Sequence, residues 1–293
     1  MNPVCAGMLA GGVACASAHR LLEPRRPRRG GSAWPWLLLL PLLLWPMPGA
    51  DLAVSTKPHI VLVGDSTVTD QSGWGAGFRR FVTDGATVSN AAQGGRSSKS
   101  YLAEGHWAKA LTLKGDCYLI QFGHNDQPGK GPDRESDPAT SFTANMARYV
   151  DEVRALGAQP ILVTSLVRRN FDPAHPGRVI STLTPYVEAV RKLAAEKQVP
   201  LIDLHALSLA YCEHIGPVRS AQYNPTKPDG TSDTTHLNAL GSVVFARLVV
   251  EELRRIVPGL APALRINPTP GTAGVTPIST GPASSPRGPE PPR

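Results

Sequence analysis

Four short stretches hold the residues whose types and spacing could do chemistry. They are Gly64-Asp65-Ser66-Thr67, Asn90 through Ser97, Phe122-Gly123-His124-Asn125-Asp126, and Ser232 through Leu237. Singly, each has an ordinary explanation. Gly94 and Gly95 could serve only a turn, His124 to Asp126 could be a polar loop, and Asp233 could cap a helix, where Asp is favoured. Together they hold what acyl transfer requires. A serine hydroxyl is a weak nucleophile until a base lies within hydrogen-bond reach. His236 can be that base, and Asp233, three residues earlier, can fold back to fix the imidazole tautomer. The oxyanion that develops needs preorganised donors. Backbone N–H groups at Ser66 and Gly95 and the side-chain amide of Asn125 can supply them.

Such residues work only if secondary structure brings them to one place. Ile60 to Val63 is a short apolar run stopped by Gly64, which reads as a buried strand feeding a tight turn. Similar runs predict strands over 87–92, 117–122, 160–166 and 200–204. Helical spacing or composition predicts helices over 78–82, from 97 or 98 to 111, and over 141–156, 183–197, 206–213 and 237–256. Strands alternating with helices imply an α/β domain, a parallel sheet of five strands between two helical layers. Ligands of such sheets sit at the carboxyl ends of the strands. Three of the four polar stretches directly follow predicted strands, and the fourth precedes the last helix.

The ends of the chain are of a different kind. Residues 25–29, Arg-Arg-Pro-Arg-Arg, precede a Trp, Leu and Pro run from Trp34 to Met47 and then Pro48-Gly49-Ala50. A basic segment, an apolar segment and a small residue describe an export signal. The run from Trp34 to Trp45 is 12 residues with two prolines inside, short for a membrane span of about 20 residues. Residues 1–50 are therefore expected to be a leader, cleaved near Ala50, and any membrane association to come only through an uncleaved leader. Residues 267–293 are Pro, Gly, Ser and Thr with almost no large apolar side chain, and are expected to form no core. The domain is expected over 51–266. Of the net charge of +7, residues 1–50 contribute +4 and residues 267–293 contribute +1, leaving +2 for the domain. That balance gives no reason to expect nucleic-acid binding. Cys117 reads as a strand residue and Cys212 as a helical one. No zinc-ligand spacing occurs, so neither metal nor cofactor is expected.

The four stretches resemble the sequence blocks of the SGNH (GDSL-like) hydrolases. More narrowly, Gly-Asp-Ser-Thr, Gly-Trp-Gly, Gly-Arg-Ser, Phe-Gly-His-Asn-Asp and Asp-x-Thr-His resemble the rhamnogalacturonan acetylesterase branch over residues 59–250. The resemblance implies a flavodoxin-like fold with strand order 2-1-3-4-5. It implies Ser66 as nucleophile, His236 as base and Asp233 as its orienter. The oxyanion hole would be the Ser66 N–H, the Gly95 N–H and the Asn125 side chain, with Gly95 preferred to Gly94 because it directly precedes Arg-Ser. The implied substrate is an acetylated polysaccharide or oligosaccharide. The leader read above implies export, to the periplasm or beyond the cell, and the protein is expected to be a monomer.

Outside these blocks, residues 127–137, 170–178 and 216–231 are polar loops expected to border the site and set substrate choice. Trp74 offers a flat apolar face for sugar stacking, or a packing residue. Arg96 could meet an acidic sugar, or pair within the protein, for example with Asp65. A lipase, thioesterase or lysophospholipase would use the same catalytic residues but call for apolar loops. A phosphatase with Asp65 as nucleophile would want a second aspartate where Thr67 stands. The Gly-x-Ser-x-Gly elbow of the α/β-hydrolases is absent. A non-catalytic carbohydrate-binding scaffold would be expected to have lost a member of the Ser, Asp, His set, and none is lost.

Overall fold

The computed structural model describes residues 57–269. The expected leader and nearly all of the expected C-terminal tail lie outside the described residues. Five strands form one sheet in the order β2-β1-β3-β4-β5: β1 His59–Gly64, β2 Thr87–Asn90, β3 Cys117–Gln121, β4 Gln159–Val163 and β5 Leu201–Ile202. Every pairing is parallel, with Leu62 opposite Asn90 on one side and Leu119 on the other. The strands read as unbroken apolar runs because both faces are covered. Ile60, Leu62, Leu119, Ile161 and Val163 pack into one core, and Val61, Val63, Tyr118, Ile120 and Leu162 into the other.

The helices are α1 Gly75–Arg79, α2 Ser98–Ala103, α3 His106–Leu111, α4 Ser141–Ala155, α5 Thr184–Glu196, α6 Leu204–Ala221 and α7 Ala239–Ile256, followed by a 3-10 helix over Pro258–Ala263. Side chains of α1, α6 and α7 line the first core; those of α2 to α5 line the second. Fully burying a residue such as Phe245 or Phe142 is worth about 1.5–3 kcal/mol, and these cores hold many of them.

Several boundaries differ from expectation: α1 spans Gly75–Arg79 rather than 78–82, α6 spans Leu204–Ala221 rather than 206–213, and β2 and β5 are shorter than 87–92 and 200–204. Three further differences have a local cause. The helix expected from 97 or 98 to 111 is split, because Gly105 adopts φ +77 and starts α3 afresh. The fourth strand ends at Val163 rather than 166, where the Thr164 hydroxyl donates to Asp203 and accepts the His205 N–H. The last helix begins at Ala239, not 237. Asn238 caps it by accepting the Gly241 N–H, which leaves Asp233 and His236 in the preceding loop. Residues 267–269, expected to belong to the tail, are tied down: Thr269 N–H donates to the Arg80 carbonyl and Arg80 Nη2 to the Thr269 carbonyl.

Candidate active site

In the order β2-β1-β3-β4-β5 the connections that follow β1 and β3 run in opposite directions across the sheet and open a crevice between their carboxyl ends. Ser66 follows β1, Gly94 to Ser97 follow β2, and His124 to Asp126 follow β3. The turn after β1 is built by Asp65, whose Oδ1 accepts the Thr67 N–H at 2.8 Å and the Thr67 hydroxyl at 2.7 Å. The Ser66 carbonyl accepts from the hydroxyls of Thr69 and Ser72. The Ser72 carbonyl in turn accepts the Leu237 N–H, which ties the loop after Ser66 to the residue after His236. Gly73 permits this turn: a Cβ there would stand 2.2 Å from the Thr67 carbonyl oxygen.

The structure brings Ser66, His236 and Asp233 into one line. His236 Nε2 lies 2.8 Å from Ser66 Oγ, and His236 Nδ1 lies 2.7 Å from Asp233 Oδ2. Asp233 also accepts the backbone N–H groups of Thr235 and His236 through Oδ1. Burial alone would raise the Asp233 carboxyl. The hydrogen bonds from the His236 ring and from these two amides outweigh it and hold the carboxyl down at about 2. Asp233 is thus an ionised acceptor that fixes which ring nitrogen faces the serine.

The expected oxyanion donors lie on the loops that follow β1, β2 and β3 at this edge of the sheet. Gly95 adopts φ +75, a left-handed conformation that glycine takes at little cost, with open space where a side chain would stand. A Cβ on Gly94 would come within 3.9 Å of Ser66 Cβ, which places this loop beside Ser66. Among the described residues, neither the Ser66 nor the Gly95 N–H has an acceptor in the protein. Asn125 Nδ2 donates one N–H to the Arg96 carbonyl at 3.1 Å, which orients the amide and leaves its other N–H for a ligand. Asp126 stitches the two loops together, accepting the Ser98 N–H, the Ser98 hydroxyl and the Ser136 hydroxyl. Burial pushes its carboxyl up to about 6, although the hydrogen bonds from Ser136 and Ser98 pull the other way.

Trp74 is no stacking platform. It is fully buried, and its indole N–H donates to Gln121 Oε1 at 3.0 Å. Gln121 Nε2 donates to the Thr67 hydroxyl, which donates to Asp65. The ring therefore ends a buried hydrogen-bond chain behind the nucleophile and has no face open to a sugar. Arg96 does not pair with Asp65 either. Its Nε donates to Glu104 at 2.8 Å and its Nη1 to the Gly94 carbonyl, so its charge is matched within the protein. Asp65 instead faces His124, with Nδ1 at 3.5 Å. Burial would raise the Asp65 carboxyl, but the charge of His124 and the bonds from Thr67 hold it below its usual value.

Sequence reasoning missed two residues here, Arg168 and Arg169, whose only signal is their place after β4. Arg169 is 3 % exposed and lies under the triad loop. Its guanidinium donates to the carbonyls of His236 and Asp233 and to Asn224 Oδ1, and its own N–H to the Thr234 carbonyl. Burial lowers its guanidinium to about 10. Arg168 turns the other way, toward His124, Gln127 and Thr182.

Several known proteins are similar to the chain. The GDSL-like Lipase/Acylhydrolase family model matches residues 62–244. The rhamnogalacturonan acetylesterase RhgT of Bacillus subtilis is 37% identical over 219 residues, covering 68% of this chain and 91% of that one. The crystal structure of the Bacillus subtilis protein YxiM superposes with a TM-score of 0.61 at 32% identity, over 70% of this chain and 58% of that one. An acetylxylan esterase from Geobacillus stearothermophilus shares the fold, with a TM-score of 0.52 at 19% identity over 68% of this chain and 95% of that one. With a hydroxyl, an imidazole and a carboxylate in line at the carboxyl edge of a five-stranded sheet, the chain belongs to the GDSL-like lipase/acylhydrolase family.

Proposed function

We propose that the protein is a serine esterase that removes acetyl groups from a polysaccharide, with rhamnogalacturonan-type pectin as first choice and acetylated xylan as second. The observation that carries this is the 2.8 Å contact of Ser66 Oγ with His236 Nε2, backed by the 2.7 Å contact of His236 Nδ1 with Asp233.

His236 takes the Ser66 proton as Oγ attacks the acetyl carbonyl carbon. The carbonyl oxygen becomes an oxyanion that meets the Ser66 and Gly95 N–H groups and the free N–H of Asn125. The sugar oxygen leaves with the proton from His236. Water, deprotonated by the same imidazole, then attacks the acetyl-serine, releasing acetate and restoring Oγ–H. The likeness to a named rhamnogalacturonan acetylesterase supports the sugar side of this reading. So do the polar loops over 127–137 and 170–178, which suit a sugar better than a lipid tail. The apolar leader after the basic run supports export, which would bring the enzyme to an extracellular polymer.

The test is acetate release from acetylated pectins, acetylated xylans and small acetyl esters, set against hydrolysis of long-chain acyl esters. Preference for the long acyl chain would end the carbohydrate reading. Ser66→Ala should lower kcat by about 10⁶. A serine-reactive phosphonate should label Ser66 alone, and labelling elsewhere would remove its assignment.

A further inference from the structure

Arg168 holds a positive charge at the rim of the site, and no carboxylate among the described residues pairs with it. Its Nη1 donates to Gln127 Oε1 at 2.7 Å and to the Thr182 hydroxyl at 3.2 Å, and Nη2 makes a long contact of 3.4 Å with the His124 carbonyl. All three partners are neutral oxygens. Gln127 is itself fixed, because its Nε2 donates to the Thr182 carbonyl and hydroxyl. The guanidinium is therefore held in place by its Nη1 side. The opposite, side-on edge, made by Nε and Nη2, is almost unused. Nε has no protein partner, and it is not one of the buried unpaired atoms, so it reaches solvent. Arg169, by contrast, does have such a buried unpaired nitrogen, Nη1.

The position is specific. Arg168 contacts His124, the neighbour of Asn125, and is followed by Arg169, which holds the His236 loop. It thus lies between the oxyanion loop and the base loop. Asp65 contributes its field but no hydrogen bond, since it is fully buried and turned to Thr67 and His124. Half-burial lowers the Arg168 guanidinium, and the Asp65 charge only partly offsets this, so the cation is short of stabilising contacts. An open side-on guanidinium edge matches a carboxylate through parallel N–H···O bonds.

We propose that the side-on edge of Arg168 is a carboxylate subsite that holds a uronate of the polysaccharide deacetylated at Ser66. This rests on the acetylesterase reading and narrows it: a uronate-bearing pectic chain fits, whereas a neutral xylan backbone leaves the fork empty. It also replaces Arg96, whose charge Glu104 takes, as the residue that meets an acidic sugar.

The experiment compares acetylated oligogalacturonides as free acids and as methyl esters, in the wild type, Arg168→Gln and Arg168→Lys. Acetate release gives kcat/KM for each, and 4-nitrophenyl acetate, which has no carboxylate, supplies a common denominator for any general loss. The wild type should favour the free acid by about 10-fold or more, mainly through KM, as expected for a hydrogen bond to a charged group. Arg168→Gln should bring the ratio close to one. Arg168→Lys should restore only part of it, since an ammonium offers no fork. A steric penalty from the methyl group would persist in Arg168→Gln and so cannot imitate this result. Equal rates on both forms in the wild type, or a ratio unchanged in Arg168→Gln, would overturn the subsite and leave the acetylesterase reading standing. Hydrolysis of 4-nitrophenyl acetate with no acetate from either saccharide would overturn the subsite, and acetate release from acetylated xylan against long-chain ester hydrolysis then decides the acetylesterase reading by itself.

Discussion

Asp233 holds His236 at two points. Oδ2 meets the ring Nδ1 at 2.7 Å, and Oδ1 accepts the backbone N–H of the same residue at 3.1 Å. One carboxylate therefore sets both the tautomer of the imidazole and the position of the chain that carries it. Asp233→Ala should lower kcat by several orders of magnitude, yet less than His236→Ala, because a misoriented base still works part of the time. Single-turnover measurement of acetyl-enzyme formation separates the two variants. Wild-type activity in Asp233→Ala would reduce the residue to a loop-stabilising acceptor.

In the proposed mechanism Asn125 offers one N–H to the developing oxyanion, while the other is bonded to the Arg96 carbonyl. An interaction made only in the transition state appears in kcat. Asn125→Ala should lower kcat by roughly 10²–10³ with little change in KM. Steady-state kinetics on a small acetyl ester decides it; a pure KM effect would move Asn125 to ground-state binding.

Asp126 is buried, and its carboxyl is raised to about 6. A carboxyl whose folded value lies above its unfolded one, near 3.9, makes folding less favourable once it must ionise. The stability of the wild type relative to Asp126→Asn should therefore decline as pH rises from about 4 to about 6, and be level outside that window. Urea unfolding of both proteins at several pH values measures it. Parallel curves through the window would show that the three donors from Ser98 and Ser136 keep Asp126 ionised throughout.

Arg169 acts on the reaction only through the triad loop, whose carbonyls it holds from below. Arg169→Met should displace His236 and lower kcat, since a misplacement of about 1 Å can cost about 10²-fold. KM should change far less than kcat, and Arg169→Lys should recover only part of the rate because it lacks the planar set of donors. Activity is to be compared at a temperature where both variants are folded. Loss of stability with kcat intact would make Arg169 a packing residue alone.

Trp74→Phe should act on stability and not on sugar binding. The change leaves Gln121 Oε1 buried without its donor, which costs roughly 1–3 kcal/mol. Urea midpoints should fall, and KM for an acetylated oligosaccharide should hold. A raised KM at unchanged stability would bring back the stacking role.

What the sequence determined by itself is local. Apolar runs of strand length, each stopped by glycine or a polar turn, specify the parallel sheet, because a strand covered on both faces must be apolar throughout. Ser66, Gly95, Asn125, Asp233 and His236 could be proposed from the sequence because a reaction restricts residue type, and these types fall at strand ends or just before the last helix. The partners of long side chains were not legible. Trp74, Arg96, Arg168 and Arg169 each have an apolar stem or body and a polar end, and spacing along the chain does not say which end meets water. Tertiary structure decided that Gln121 on β3 would take the Trp74 indole and Glu104 would take Arg96. It also turned Arg169 under the His236 loop while its neighbour Arg168 faced the rim. Those contacts join residues from separate elements, and only packing the strands and helices around one sheet brings them within hydrogen-bond reach.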